Sequence, residues 1–206
     1  MERRPPAASE AVDPVVPRAA AVVGCGVIGA AWSARLRLHG VAVKVFDPSP
    51  DAARILDEVA ANAVAAWTEL GLPVELAPLT ICETVEEAVA DVDLIQESVP
   101  ERMEVKHTTL SAIDAAARPD AVIGSSTSGL LCTDLAKPLV HPERLVVAHP
   151  FNPVYLLPVV EIVGGEETSA ATIDRALALY RALGMKPIHI KAEIEAHVAD
   201  RLLEAV

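Results

Sequence analysis

Apolar residues follow two alternating rhythms along this chain. Ala19 to Val23 is a short unbroken apolar run, Val27 to His39 repeats its apolar positions at helical spacing until Gly40, and Val41 to Phe46 again runs apolar or alternates. A period near 3.6 marks a half-buried helix, and a short apolar run or a period of two marks a strand, so this stretch predicts strand, helix, strand. The rhythm continues with a long Ala-rich helix from Asp51 to Leu70, a strand Leu79–Cys82, a short acidic helix from Glu83 to Ala90 and a strand Asp93–Gln96. A helix Glu101–Ala117 and a strand Ala121–Ser125 follow, then strands at Arg144–His149 and Pro158–Val163. Thr168 to Leu183 predicts a further helix stopped by Gly184, Lys186–Ile190 a last strand, and Glu193 to Val206 a helix with no visible ending.

Strands that alternate with helices imply an α/β fold with a doubly wound, mostly parallel sheet, whose ligand lies beyond the carboxyl ends of the strands. The last three strands are not separated by equal helices. The tight connection from Val154 to Pro158 predicts that at least one pair runs antiparallel. Residues 1–17, with Pro5, Pro6, Pro14, Pro17 and mixed charges, predict a disordered tail, residues 18–191 the folded domain, and residues 192–206 the start of a linker helix.

Composition narrows the partners. The chain is 52% hydrophobic and 3% aromatic, which suits helices packed on a parallel sheet, and its net charge of −12 would repel nucleic acid and anionic membrane surfaces. A small molecule is the expected partner. Cys25, Cys82 and Cys132 lack CxxC spacing and histidine pairs, so they read as reduced, buried thiols of a cytoplasmic protein with no metal site. Arg3 and Arg4 ahead of the apolar run Ala19–Trp32 resemble a signal peptide, but glycines at turn spacing break the run and a matching strand follows it. No other stretch is long and apolar enough to span a bilayer.

Those glycines form the turn Gly24-Cys25-Gly26-Val27-Ile28-Gly29, between the first strand and the first helix. A GxGxxG pattern in that position brings the N–H groups of Val27, Ile28 and Gly29 and the helix dipole to a pyrophosphate, the arrangement of a Rossmann-type dinucleotide site. Asp47 lies eighteen residues after Gly29 at the end of the second strand, where a carboxylate can accept from both adenosine ribose hydroxyls. It would repel the 2′-phosphate of NADP, and Pro48-Ser49-Pro50 brings no arginine to receive one, so NAD is the expected cofactor. A helix N-cap is the other use of an aspartate here.

Further along stand Glu97-Ser98-Val99-Pro100-Glu101-Arg102-Met103-Glu104-Val105-Lys106, then Ser125-Ser126-Thr127-Ser128, then His149-Pro150-Phe151-Asn152-Pro153, with Pro158-Val159-Val160-Glu161 ending twelve residues after the histidine. With these ordered motifs, residues 19–206 resemble the 3-hydroxyacyl-CoA dehydrogenase superfamily. The resemblance implies His149 as general base, Glu161 as its carboxylate partner, and Ser128 and Asn152 as polar contacts near the substrate oxygen. It implies that Glu101 and Lys106 approach the nicotinamide ribose, with Val99 and Ser126 as further cofactor contacts. The chemistry agrees, because oxidising a secondary alcohol removes a hydroxyl proton as hydride leaves, and imidazole suits that exchange near neutral pH. Glu161 inside an apolar strand is costly to bury without a partner. Taken singly, His149 also suits a packed core or turn, Ser128 a helix N-cap, and Glu101 with Lys106 an exposed helix pair. The remaining histidines, His39, His107, His141, His189 and His197, match no catalytic position and read as surface or packing residues.

The substrate follows from what the chain lacks. From Ile55 through Glu101 there is no Lys, Arg or His, while Asp57, Glu58, Glu69, Glu75, Glu83, Glu86, Glu87, Asp91, Asp93, Glu97 and Glu101 are acidic, so a CoA phosphate would meet no cation there. Ser126 stands where acyl-CoA members usually carry Asn, Pro150 where they carry an aromatic, and Asp200 at the place of a functional Asn, without a Pro-Gly-Phe before the last helix. In these respects the chain resembles the L-carnitine dehydrogenase branch, which implies oxidation of L-carnitine to 3-dehydrocarnitine with NAD. Oxidation of a 3-hydroxyacyl-CoA or of L-gulonate stays open, as does an NAD-binding module without turnover. A trimethylammonium group would suit an acidic protein, and Trp67 or Tyr155 could face it, although both positions read first as core. The resemblance also implies a helical C-terminal domain beyond Val206 that completes the cleft and makes full-length relatives homodimers. Without it, weak activity and association through exposed apolar surface are expected.

Overall fold

A computed structural model describes residues 16–194, 196–198 and 201 of the chain. One eight-stranded sheet organises them in the order β3-β2-β1-β4-β5-β6-β7-β8, formed by β1 (Ala19–Val23), β2 (Ala42–Phe46), β3 (Leu79–Ile81), β4 (Leu94–Glu97), β5 (Val122–Ser125), β6 (Leu145–Pro150), β7 (Val159–Gly164) and β8 (Lys186–Ile190). Every neighbouring pair is parallel except β6 and β7, which run antiparallel, as the short connection between them requires.

The helices α1 (Val27–Leu38), α2 (Ala52–Glu69), α3 (Val85–Val89), α4 (Met103–Ala116), α5 (Cys132–Ala136) and α6 (Ala170–Ala182) cover both faces. Alternation along β1 shows the division: Ala20 and Val22 pack with α1, α2 and α6, while Ala21 and Val23 pack with α3, α4 and α5. With both faces buried, the central strands have no need of polar alternation, which is why they read as unbroken apolar runs.

Buried cations tie these layers together. Arg35 of α1 donates to the carbonyls of Leu183 and Gly184 at 3.1 and 2.7 Å, which caps the end of α6, and burial lowers its pKa to about 10. On the other face, Arg144 donates to Asp114 Oδ1 at 2.8 Å, while Asp114 Oδ2 accepts from the Val140 and His141 amides.

Two departures from the sequence reading have local causes. The five-residue α5 and a 3-10 turn at Pro142–Arg144 are too short for a hydrophobic period to reveal. The helix expected from Glu193 is not formed at residues 193, 194 and 196–198, where Ala196 and His197 adopt left-handed φ of 59° and 47°. Here tertiary bonds override the helical pattern, because the Glu193 carboxylate accepts from the Thr133 amide at 2.8 Å and from its hydroxyl. Arg201 is helical, and Asp200 lies outside the described residues. Of the expected disordered tail, residues 1–15 also lie outside them, while Val16 is exposed and Pro17 buried. Among the described residues, no helix is long and apolar enough to cross a membrane, and no group of three His, Cys, Asp or Glu side chains is placed to hold a metal ion.

Candidate active site

The order of the sheet reverses between β1 and β4, and a crevice opens there at their carboxyl ends. It measures about 620 Å³ and is lined by Gly24, Gly26, Asp47, Ser98, Val99 and Pro100 among others. Gly24 has φ +93° and lies so close to the Ser98 backbone that a Cβ would stand 2.7 Å from it. A Cβ on Gly29 would be 1.8 Å from the Gly24 carbonyl oxygen, so Gly29 lets α1 pack against the turn. At Gly26 a Cβ would meet nothing within 4 Å. Gly26 also caps α1 without a side-chain bond, and the first turn carries no acid, so the positive end of the helix opens onto the space where a pyrophosphate would lie. Val27 is exposed, whereas Ile28 turns its side chain to the core and has only its backbone to offer a ligand.

Asp47 belongs to this turn and does not cap α2. Its Oδ2 accepts from the Cys25 amide at 2.5 Å and its Oδ1 from the Ser49 amide at 2.8 Å, whereas the cap position of α2 is Asp51. The carboxylate therefore stands pre-set at the rim of the crevice, fit to receive ribose hydroxyls. Burial together with the Asp47 charge pushes the Cys25 thiol up to about 12, so this cysteine stays protonated and unreactive at neutral pH.

At the carboxyl end of β6, His149 and Glu161 face each other across the antiparallel ladder. Directly opposed residues point to the same face, which brings the His149 Nδ1 to 2.9 Å from Glu161 Oε2. The histidine is 9% exposed and the glutamate 2%. A carboxylate can only accept, so Nδ1 carries the proton of a neutral His149 and Nε2 keeps a lone pair. The ring is hemmed in by Phe151 and His197, with centroids 6.0 and 5.2 Å away.

His197 was not legible as a site residue. It is buried, its Nε2 lies 3.1 Å from the Thr127 carbonyl, and the neighbouring Val198 amide donates to Glu161 Oε1 at 3.2 Å. No motif spacing signals this, since the contact joins distant segments. His39 and His107 instead bond to the Arg35 and Asp134 carbonyls, as packing residues do.

In the segment after β4 the two expected ribose contacts, Glu101 and Lys106, pair with each other. Lys106 is 1% exposed, and its ammonium donates to both Glu97 oxygens at 2.9 and 3.1 Å and to the Val99 carbonyl at 3.4 Å, with Glu101 Oε2 at 3.3 Å. Its donors are used beneath the crevice, not at its surface. Glu97, fully buried, also accepts from the Ser125 hydroxyl at 2.5 Å and from the Val99 amide at 2.8 Å. Glu97 closes a strand in which only Leu94 and Ile95 are apolar, a weaker signal of burial than that of Glu161 between Val160 and Ile162.

Glu101 Oε1 accepts from the Thr127 hydroxyl and from the Ser128 and Gly129 amides at 3.0 and 3.1 Å. Burial works against its carboxylate, but the Thr127 hydroxyl, Lys106 and the Gly129 amide outweigh burial and hold its pKa below the ordinary value. Ser128 therefore sits on a turn pinned by Glu101 and does not cap α5, whose cap position is Leu131. Val99 lines the crevice, and Ser126 lies beside it, bonded to Ser98 at 2.9 Å. Asn152 is exposed just beyond β6.

Among the acids of the base-free stretch, Glu97 and Glu101 are held by Lys106, Asp93 by Arg18 and Arg118, and the exposed Glu58 by Arg54. Trp67 is core, its indole N–H donating to the Tyr155 carbonyl at 2.8 Å, so it presents no open face to a cationic substrate.

The family model for the 3-hydroxyacyl-CoA dehydrogenase NAD-binding domain matches residues 19–194. A Rhizobium protein named L-carnitine dehydrogenase/betainyl-CoA thioesterase is 59% identical over 190 residues, covering 91% of this chain and 38% of its own length. The L-carnitine dehydrogenase of Mesorhizobium japonicum is 55% identical over 190 residues, covering 90% of this chain and 52% of its own. The chain thus spans about half or less of these relatives. Among solved structures, an NAD-dependent 5-formyl-3-hydroxy-2-methylpyridine 4-carboxylic acid 5-dehydrogenase superposes with a TM-score of 0.85 at 30% identity, covering 91% of this chain and 62% of that one. Escherichia coli 3-hydroxybutyryl-CoA dehydrogenase gives 0.77 at 29%, covering 84% and 38%. The chain belongs to the 3-hydroxyacyl-CoA dehydrogenase family, and residues 19–194 are its NAD-binding domain.

Proposed function

We propose that this chain is the cofactor-binding and proton-transferring part of an NAD-dependent dehydrogenase that oxidises a secondary 3-hydroxy group, converting L-carnitine to 3-dehydrocarnitine. The observation that carries the reading is the buried hydrogen bond between His149 Nδ1 and Glu161 Oε2 near the carboxyl end of β6, on the same side of the sheet as the dinucleotide crevice. The L-carnitine dehydrogenase names of the relatives and the absence of Lys, Arg and His from residues 55–101 both favour a small cationic substrate over an acyl-CoA.

Gly24, Gly26 and the backbone of Val27, Ile28 and Gly29 would hold the pyrophosphate, and Asp47 the adenosine ribose. When bound, NAD supplies the hydride acceptor. His149 Nε2 takes the hydroxyl proton as the carbinol hydrogen departs, so the alcohol loses one hydride and one proton to become a ketone. Glu161 keeps Nδ1 protonated and stabilises the imidazolium that forms. Ser128 and Asn152 flank the carbinol oxygen. Glu101 acts by fixing the Ser128 turn, and Lys106 by holding Glu101 and Glu97. The same reading has residues 18–191 as the cofactor unit, with residues 192–206 leading toward a helical domain of a longer homodimer in the cytoplasm, acting on a small molecule and not on nucleic acid.

An absorbance assay of NAD reduction at alkaline pH with L-carnitine, L-gulonate and 3-hydroxybutyryl-CoA, run beside calorimetric NAD titration, tests it. L-carnitine is expected to give the highest kcat/KM. Faster turnover of either other substrate overturns the substrate, and NAD binding without any turnover leaves this chain a binding module.

A further inference from the structure

Four side chains form one hydrogen-bonded file from the helical layer into the dinucleotide crevice. The hydroxyl of Tyr180, on α6 and fully buried, lies 2.6 Å from Gln96 Oε1 on β4. Gln96 Nε2 lies 2.7 Å from Ser126 Oγ and 3.4 Å from the Ala148 carbonyl oxygen. Ser126 Oγ lies 2.9 Å from Ser98 Oγ, and Ser98 lines the crevice with Gly24 and Gly26. Tyr180 reaches across β5 because residue 124 has no side chain: a Cβ on Gly124 would stand 2.4 Å from the phenol oxygen.

Counting protons orients every member of the file. A carbonyl only accepts, so the side of the Gln96 amide that faces Ala148 is its NH₂ group, and Oε1 faces Tyr180. The phenol must then donate, and burial raises its pKa and keeps that proton in place. The other Nε2 proton goes to Ser126 Oγ. Ser98 and Ser126 share one hydrogen bond between two hydroxyls, whichever of them donates. Where Ser126, already accepting from Gln96, donates to Ser98, the Ser98 hydroxyl proton remains for the crevice that Ser98 lines. A reversed amide would consume it, because Ser126 would donate to Gln96, Ser98 would donate to Ser126, and only lone pairs would face the ligand.

We propose that the Ser98–Ser126 pair presents a hydrogen-bond donor to an acceptor oxygen on the phosphate and ribose backbone of the bound dinucleotide, and that Tyr180 and Gln96 are positioning residues that set this polarity from outside the crevice. The inference rests on the cofactor reading above and deepens it. A file whose members all donate in one direction also polarises the terminal hydroxyl, which strengthens it as a donor.

Calorimetric NAD titration of the whole chain, with thermal melts of each ligand-free variant, tests the proposal. The paired variant Ser98→Ala/Ser126→Ala, at two half-buried positions, is expected to weaken NAD binding about tenfold, the cost of one hydrogen bond to an ionised or strongly polar oxygen. Tyr180→Phe keeps the ring that packs on Trp32 with centroids 5.5 Å apart. It is expected to weaken binding about fivefold in the wild-type background and not further in the paired-alanine background. A packing role for Tyr180 would weaken binding in both backgrounds, and that result overturns the proposal. Should Tyr180→Phe melt too low to titrate, Gln96→Met makes the same comparison in the same two backgrounds. Wild-type affinity in the paired variant overturns this inference alone, whereas a wild-type chain that fails to bind NAD overturns the cofactor reading with it.

Discussion

The Nδ1 of His149 lies 2.9 Å from Oε2 of Glu161, and the antiparallel register of β6 and β7 sets their Cα atoms directly opposite each other. The pair is thus positioned by a backbone ladder and not by a mobile loop. Because the two residues sit on strands, replacing the imidazole removes the proposed base while leaving the crevice at β1 and β4 intact. His149→Ala is expected to lower kcat for the preferred substrate by about 10²–10⁴-fold with unchanged NAD affinity. Glu161→Gln should lower it in the same direction while the melt stays near wild type. Unchanged turnover in His149→Ala would show that another group takes the proton.

The glycine turn predicts opposite phenotypes for two substitutions of equal size. Gly26→Ala adds a methyl group to open space and should melt like wild type while losing about tenfold or more in NAD affinity, because it occupies the room a phosphate needs. Gly29→Ala drives a Cβ to 1.8 Å from the Gly24 carbonyl, so the turn and α1 must separate, and destabilisation of about 3 kcal/mol is expected. Equal melts for the two variants would count against this packing of the turn.

Lys106 is buried between Glu97 and Glu101, so its removal strands a carboxylate that has no access to water. Lys106→Met is expected to cost about 3–5 kcal/mol in a denaturant titration, and adding Glu97→Gln should recover part of the loss by removing the stranded charge. A stable single variant, or a double variant less stable than the single, would refute this arrangement.

Asp114 predicts how the fold responds to acid. Burial opposes its ionisation, but Arg144 and the Val140 and His141 amides prevail and depress its pKa. A depressed folded-state value means that folding favours the ionised form. Its contribution is complete above the unfolded aspartate pKa of about 4 and disappears as pH falls through the lower folded value. Melting temperature should therefore fall steeply below about pH 4. In Asp114→Asn that acid slope should be shallower and stability at neutral pH lower. A variant with the wild-type acid slope would show that other carboxylates set it.

Much of this molecule can be read from local pattern. The strands and long helices repeat hydrophobic residues at their own periods, so β1 through β4 and α1, α2, α4 and α6 were predicted to within a few residues of their ends. Gly24, Gly26 and Gly29 were legible because a tight strand-to-helix turn of this kind needs glycines within one short segment, and Asp47 because it closes the second strand. The His149 and Glu161 pair was legible because the ordered motifs resemble the family's, and a carboxylate inside an apolar strand is costly without a partner.

Other features required the assembled chain. Lys106 read as a ribose contact or as one of an exposed helical pair with Glu101, and the approach of α4 to the end of β4 buries its ammonium against Glu97. His197, which no spacing marks, arrives 5.2 Å from His149 through a left-handed turn that replaces the expected helix. Trp67, a candidate face for a cation, is turned inward by the Tyr155 carbonyl. By itself the sequence determined the element types and the glycine turn, and it singled out His149 and Glu161 as a candidate pair, since each depends on residues close in the chain, on ordered motifs or on a burial cost that composition exposes. The tertiary structure alone decided which charges are buried together and how the Tyr180–Gln96–Ser126–Ser98 file is polarised. Such contacts join segments up to 84 residues apart, and hydrogen-bond direction depends on which acceptors folding places around each donor.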